Sequence, residues 1–181
     1  MILSDTELVE MLREPRTRRE GFAVLVKQYS EKLYWKVRRI VLSHEDANDV
    51  LQNVFIKVWS NLQNFQGKSS LSTWLYRIAI NESLDFLRKQ KLADKVSADE
   101  DASVASRLMS DEYFDGDEVQ TRLQEAVARL PEVQRTVFNL KYFEEMKYSE
   151  ISQILNTSEG ALKASYHLAV KKITEYLHLF D

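Results

Sequence analysis

A chain of 181 residues with four glycines and two prolines offers very few places where a helix must stop. Gly21, Gly67, Gly116 and Gly160, with Pro15 and Pro131, are the whole set. From Phe22, apolar residues recur at Leu25, Val26, Tyr29, Leu33, Val37, Ile40 and Val41, steps of three and four that predict a helix with one buried face. A second run, Ala47, Val50, Leu51, Val54, Phe55, Val58 and Leu62, follows Ser43, which suits an N-cap with Glu45 and Asp46 in the first turn. Ser4 and Glu7 have capping-box spacing and open a short first helix, which Pro15 interrupts. A further helix is predicted from about Ser70 to about Lys91. The expected fold class is therefore all-α.

Charge divides the chain. Residues 1–92 hold 15 Lys/Arg against 11 Asp/Glu, a net of +4; residues 93–120 hold 2 against 9, a net of −7; residues 121–181 hold 8 against 8. Across 93–117 apolar periodicity disappears and acidic, Ser and Ala residues cluster, so this stretch reads as an acidic linker. It would join two small helical domains, residues 1–92 and 118–181. Periodicity returns at Leu123, Val127 and Leu130, and Pro131 suits the first turn of a helix burying Val133, Val137, Phe138 and Leu140.

Several function classes drop out. Without cysteine there is no disulfide, thiol chemistry or cysteine-built zinc site. His44, His167 and His178 lack ligand spacing, so neither a metal nor a cofactor is expected. No nucleophile–base pair, P-loop or dinucleotide fingerprint is present, and the expectation is a non-enzymatic protein with no small-molecule substrate. No apolar run reaches the roughly 18 residues of a membrane span, and the N-terminus lacks signal-peptide character. A cytoplasmic protein that is not membrane-embedded is expected.

Three constellations remain. Asp49, Gln52 and Asn53 share one polar stripe, which suits either a solvated face or a surface accepting arginines from a partner helix. The polar loop Asn64-Phe65-Gln66-Gly67-Lys68 precedes a helix with Trp74, Arg77, Asn81 and Arg88 on one side and Leu71, Leu75, Ile78 and Ala79 on the other. Aromatic faces interleaved with cations suit an unpaired base and its phosphates, although Trp74 could equally be peripheral core. Near the C-terminus, Ile151, Ile154 and Leu155 precede a break at Asn156, and Thr157 or Ser158 can cap the helix that follows. Leu162, Tyr166 or Leu168, Ala169 and Ile173 would pack that helix inward. This is helix-turn-helix spacing, with an ordinary helical hairpin as the alternative.

The ordered set Asp46-Ala-x-Asp49-x-x-Gln52-x-x-Phe55-x-x-x-Trp59, Phe65-x-Gly67, Trp74-Leu-x-x-Ile-Ala-x-Asn81, Leu130-Pro131 and the helix-turn-helix resembles a bacterial RNA polymerase sigma factor of the extracytoplasmic-function class of the sigma-70 family. The resemblance implies a factor that binds core RNA polymerase and directs promoter recognition, DNA melting and transcription initiation. Asp49, Gln52 and Asn53 would dock on the clamp helices of the largest subunit. Asn64, Phe65, Gln66, Lys68, Trp74, Arg77, Asn81 and Arg88 would engage the minus-10 element, and Lys163, Ser165, Tyr166, His167 and Lys171 the minus-35 element. An anti-sigma factor would be a further partner beside the polymerase and promoter DNA. Two departures stand out: Asn53 where the family commonly has Glu, and a recognition helix with Lys163 as the only cation in its first half. The alternative is a one-component helix-turn-helix transcriptional regulator.

Overall fold

The Glu7 backbone N–H donates to the Ser4 hydroxyl while the Glu7 carboxylate accepts from the Ser4 N–H, so the predicted capping box starts helix α1 (Asp5–Arg13). In the computed structural model, residues 2–93 and 117–180 are described. They fall in two units, Met1–Ala93 and Asp94–Asp181. Every described element is helical, and no strand occurs among the described residues.

The first unit continues with α2 (Arg18–Val41), α3 (His44–Asn61), a 3-10 turn (Leu62–Asn64) and α4 (Leu71–Ala93). Leu8, Leu25, Leu33, Val37, Val50, Val54, Leu71, Leu75 and Ile80 are fully buried between these helices. Each such aliphatic side chain contributes about 1.5–3 kcal/mol by leaving water. Gly21 is buried where α2 crosses α1; a Cβ there would lie 2.8 Å from the Met11 Cβ, so the crossing distance depends on glycine. On α4 the buried arc runs through Leu75, Ala79, Ile80, Ser83, Leu84 and Leu87, and Ile78 is only half-buried. The expected inward position of Ile78 shifts because α4 packs against both α2 and α3, which rotates the covered arc towards Ile80 and Ser83.

The corner between α2 and α3 has only two residues, Leu42 and Ser43. Leu42 adopts φ 67°, a left-handed conformation costly for a side chain with a Cβ. The buried Arg38 guanidinium donates to the Leu42 carbonyl and holds it there. Ser43 then accepts from the Asp46 N–H and starts α3 as expected.

The second unit comprises α5 (Glu118–Ala128), α6 (Glu132–Phe138), a π-helical turn (Asn139–Phe143), α7 (Tyr148–Leu155), α8 (Glu159–Leu177) and a closing 3-10 turn (His178–Phe180). Ala126, Val127, Leu130, Phe138, Ala169 and Ile173 form its core. Val133, expected inside, is 63% exposed. Pro131 occupies the N-cap rather than the first helical residue, and buried Arg135 donates to the carbonyls of Ala128 and Leu130, so the polar side of α6 faces that turn. The core instead takes Val137, Phe138 and Leu140. The expected linker 93–117 lies outside the described residues from 94 to 116; at its end Asp117 caps α5 by accepting from the Gln120 N–H.

Candidate polymerase and nucleic-acid interfaces

Burial of Ala47, Val50, Val54 and Val58 turns the opposite side of α3 to solvent. Asp49, Gln52 and Asn53 are all exposed there. Ile56, 65% exposed, follows one turn after Gln52 and Asn53, and Trp59 is 42% exposed with its ring 5.0 Å from that of Phe22. An apolar side chain that continues this polar stripe was missed in the sequence, where Ile56 fits no periodic run. A partner that covered Ile56 would remove it from water, although a single exposed apolar side chain is also ordinary on a solvated face.

The loop before α4 is built around Gly67, whose φ of 71° suits glycine. Ser70 accepts from the Thr73 N–H and starts α4. Phe65 and Trp74 face each other across this loop, ring centroids 5.0 Å apart and planes at 48°. Both residues are half-buried. Arg77 is half-buried with its Nε enclosed and without a hydrogen-bond partner. Asn64, Gln66, Lys68, Asn81 and Arg88 are exposed. Asn64 donates to the Asn61 side chain at 3.4 Å, and Arg88 pairs with Asp85 at 2.7 Å. Arg13 also reaches this loop: its guanidinium stands 3.6 Å from where a Cβ on Gly67 would be. Its distance in sequence hid it.

A second cationic feature flanks α2. The Lys36 ammonium lies 4.0 Å from the centroid of the Tyr76 ring on α4. Burial, with the charges of Arg39 and Lys32, lowers its pKa to about 8. Burial likewise lowers that of the Arg39 guanidinium.

In the second unit, Asn156 takes the left-handed conformation (φ 51°, ψ 47°) that ends α7, and Ser158, rather than Thr157, caps α8 by accepting from the Ala161 N–H. Lys163, His167 and Lys171 are exposed on α8, and Ser165 is half-buried. Lys171 approaches Glu175 at 3.9 Å. Tyr166, expected among the groove readers, is half-buried and packed against neighbouring aromatics. Its ring stacks on Phe138 with centroids 5.8 Å apart and planes 15° apart, and meets Tyr148 edge-on at 6.4 Å. Tyr166 therefore supplies the inward contact that the sequence left open between it and Leu168, which is 46% exposed. The helix repeat places residue 166 on the stripe of Leu162, Ala169 and Ile173, and packing claims the aromatic ring.

Residues 25–93 match the family model Sigma-70 region 2, and residues 120–173 match Sigma-70, region 4. The chain is 33% identical over 157 residues to the ECF RNA polymerase sigma factor SigW of Bacillus subtilis (strain 168), covering 82% of this chain and 84% of that protein. It belongs to the extracytoplasmic-function class of the sigma-70 family. It is also 31% identical to the ECF RNA polymerase sigma-E factor of Escherichia coli (strain K12), across 90% of this chain and 88% of that one. Among solved structures, the sigma factor RpoE in complex with the anti-sigma factor NepR from Bartonella quintana superposes with a TM-score of 0.64 at 20% identity, covering 88% of this chain and 98% of that one. CnrH in complex with the cytosolic domain of CnrY gives 0.63 at 20% identity, covering 98% and 99%. These likenesses extend the sigma-factor fold over both units. The match to region 2 has no place in the one-component regulator alternative. As a sigma factor, the chain works in transcription initiation. No described helix is long and apolar enough to cross a membrane.

Proposed function

We propose that the outer face of α3 docks this sigma factor on the clamp helices of core RNA polymerase through Asp49, Gln52 and Asn53, with Ile56 as an apolar anchor. The loop Asn64–Lys68 and the α4 face then take the melted non-template strand of the minus-10 element. Phe65 and Trp74 offer ring faces to an extruded base, Arg77 and Asn81 offer donors, and Lys68 and Arg88 attract phosphates. In the second unit, Lys163, Ser165, His167 and Lys171 meet the minus-35 element, with Tyr166 holding α8 in place rather than reading bases. The domain roles follow: residues 1–92 dock and melt, 118–181 read duplex DNA, and 93–117 tether them.

The observation that carries this reading is the juxtaposition, within one tightly packed set of helices, of an exposed polar stripe on α3 and a half-open aromatic pair beside an enclosed, unsatisfied Arg77 Nε. The work is binding, not bond chemistry, and it takes place in the cytoplasm. Trapping a base offsets the few kcal/mol of unstacking that opening costs. Two weak contacts held on one polymerase reinforce each other because the second becomes intramolecular. An anti-sigma factor that covered either face would silence the protein.

The test is run-off transcription with core polymerase at a promoter obtained by selection. Wild type gives promoter-specific transcripts, and Asp49→Ala/Gln52→Ala abolishes them together with core binding. Duplex binding by the free protein with no effect on core polymerase would overturn the reading.

A further inference from the structure

Arg13 belongs to the last turn of α1, yet its guanidinium stands 3.6 Å from where a Cβ on Gly67 would be. The end of α1 does not need this side chain. Arg18 donates from Nε to the Leu12 carbonyl at 2.9 Å and from a terminal nitrogen to the Arg13 carbonyl at 3.3 Å. The Thr17 hydroxyl donates to the Met11 carbonyl at 2.9 Å, and the Glu14 N–H to that of Glu10. Other residues thus occupy the carbonyls that a basic side chain near a helix C-terminus commonly satisfies. Among the described residues, the exposed Arg13 guanidinium makes no hydrogen bond or ion pair.

The helix that carries Arg13 is firmly placed. Leu8 and Leu12 are buried beneath it, and Met11 meets α2 closely at Gly21. At its other end the Tyr29 hydroxyl donates to Asp5, and the Gln28 side chain pairs with the Leu3 backbone. Lys68, next to Gly67, is exposed and likewise has no partner among the described residues. Phe65 is two residues from Gly67, so their Cα atoms lie at most about 7 Å apart, the scale of one nucleotide. The loop therefore combines an aromatic side chain with two unpaired cations, one of them delivered by a separate helix. Stacking faces and backbone cations are the two elements that single-strand binding uses.

We propose that Arg13 is a phosphate contact of this loop, binding the strand phosphate beside the nucleotide whose base the loop captures. This rests on the minus-10 role proposed above for residues 64–68. It adds a residue from α1, which lies ahead of the residues 25–93 that match region 2. Arginine suits the task because its planar fork can donate two parallel hydrogen bonds to one phosphate. A phosphate contact raises affinity and fixes register without altering which base is preferred.

The experiment uses holoenzyme reconstituted with core RNA polymerase and a bubble copy of a promoter obtained by selection. The non-template strand carries a single neutral methylphosphonate at each minus-10 position in turn, and affinity is read across a salt series. Arg13→Gln is expected to weaken binding about tenfold, the scale of one charge-assisted contact. It should flatten the dependence of log affinity on log salt by about 0.7. One methylphosphonate position should weaken wild type to a similar degree and have no further effect on Arg13→Gln, while the other positions stay additive. Arg13→Lys should keep the salt slope and lose part of the affinity. If Arg13→Gln binds this DNA as wild type does, a protein partner is left as the occupant and the proposal is overturned. If binding weakens but every methylphosphonate effect persists in the variant, with a lowered melting temperature, Arg13 serves only the end of α1 and the proposal is again overturned. Trp74→Ala separates these failures from failure of the minus-10 role. Weakened binding in Trp74→Ala leaves that role standing without Arg13, and undiminished binding in both variants removes both.

Discussion

Phe65 and Trp74 pack against each other across the loop that opens α4, 5.0 Å between centroids, both residues half-buried. In the proposed minus-10 role, the exposed part of this pair would serve as a stacking platform for an extruded base. Base–aromatic stacking contributes about 1–3 kcal/mol. Trp74→Ala should therefore lower the yield of open promoter complexes by about tenfold or more, while Trp74→Phe keeps most of it. Permanganate reactivity of promoter thymines, read beside the melting temperature of each variant, checks this.

Gly21 sets the approach of α1 to α2. A methyl group placed 2.8 Å from the Met11 Cβ must push the helices apart. Gly21→Ala should destabilise the first unit by about 1–3 kcal/mol, the usual cost of overpacking, despite the gain in helix propensity. Urea unfolding followed by circular dichroism would show it; an unchanged midpoint would mean that α1 is loosely held.

The turn of the helix-turn-helix depends on a left-handed Asn156. Asn156→Gly should be close to neutral or mildly stabilising, and Asn156→Val should cost about 1–2 kcal/mol because a β-branched side chain resists this conformation. Thermal melts of the two variants should diverge in that order.

Lys36 gives a pH dependence with a definite sign. Its pKa falls from 10.5 to about 8 on folding, through burial and then the charges of Arg39 and Lys32, with the Tyr76 ring facing it from α4. Between about pH 8 and 10.5 the unfolded chain holds more protons than the native one, so this group's contribution to stability rises with pH. Below about pH 8 its penalty is constant. The stability difference between Lys36→Met and wild type should shift in favour of wild type by on the order of 1 kcal/mol from about pH 7 to about pH 10, after allowance for solvent screening. Paired denaturation curves at each pH measure this, and a flat difference would mean that Lys36 stays protonated throughout.

Much of the helical pattern was legible because caps and periodicity are local. Ser4, Ser43, Ser158 and Asn156 act where their side chains permit, and the stripe from Leu25 to Val41 lies inside. What escaped depends on neighbours distant in sequence. Val133 is apolar yet exposed, because Arg135 claims the turn beneath α6. Tyr166 and Leu168 are equally apolar by composition, and only the position of Phe138 selects the tyrosine. The stripe Asp49, Gln52 and Asn53, proposed above as the docking face, was visible as a polar face, but Ile56 beside it was not, since a lone exposed isoleucine breaks no rule until its surroundings are known. Arg13 and the Lys36–Tyr76 contact belong to the same class: their meaning lies in tertiary proximity.

The corner at Leu42 leaves no slack between two long helices. With a buried guanidinium donating to a left-handed residue's carbonyl, α2 and α3 are joined like the two arms of a bell crank. A partner seated against α3 would bear on α2 through a joint of only two residues, so a load placed on one arm would reach the other.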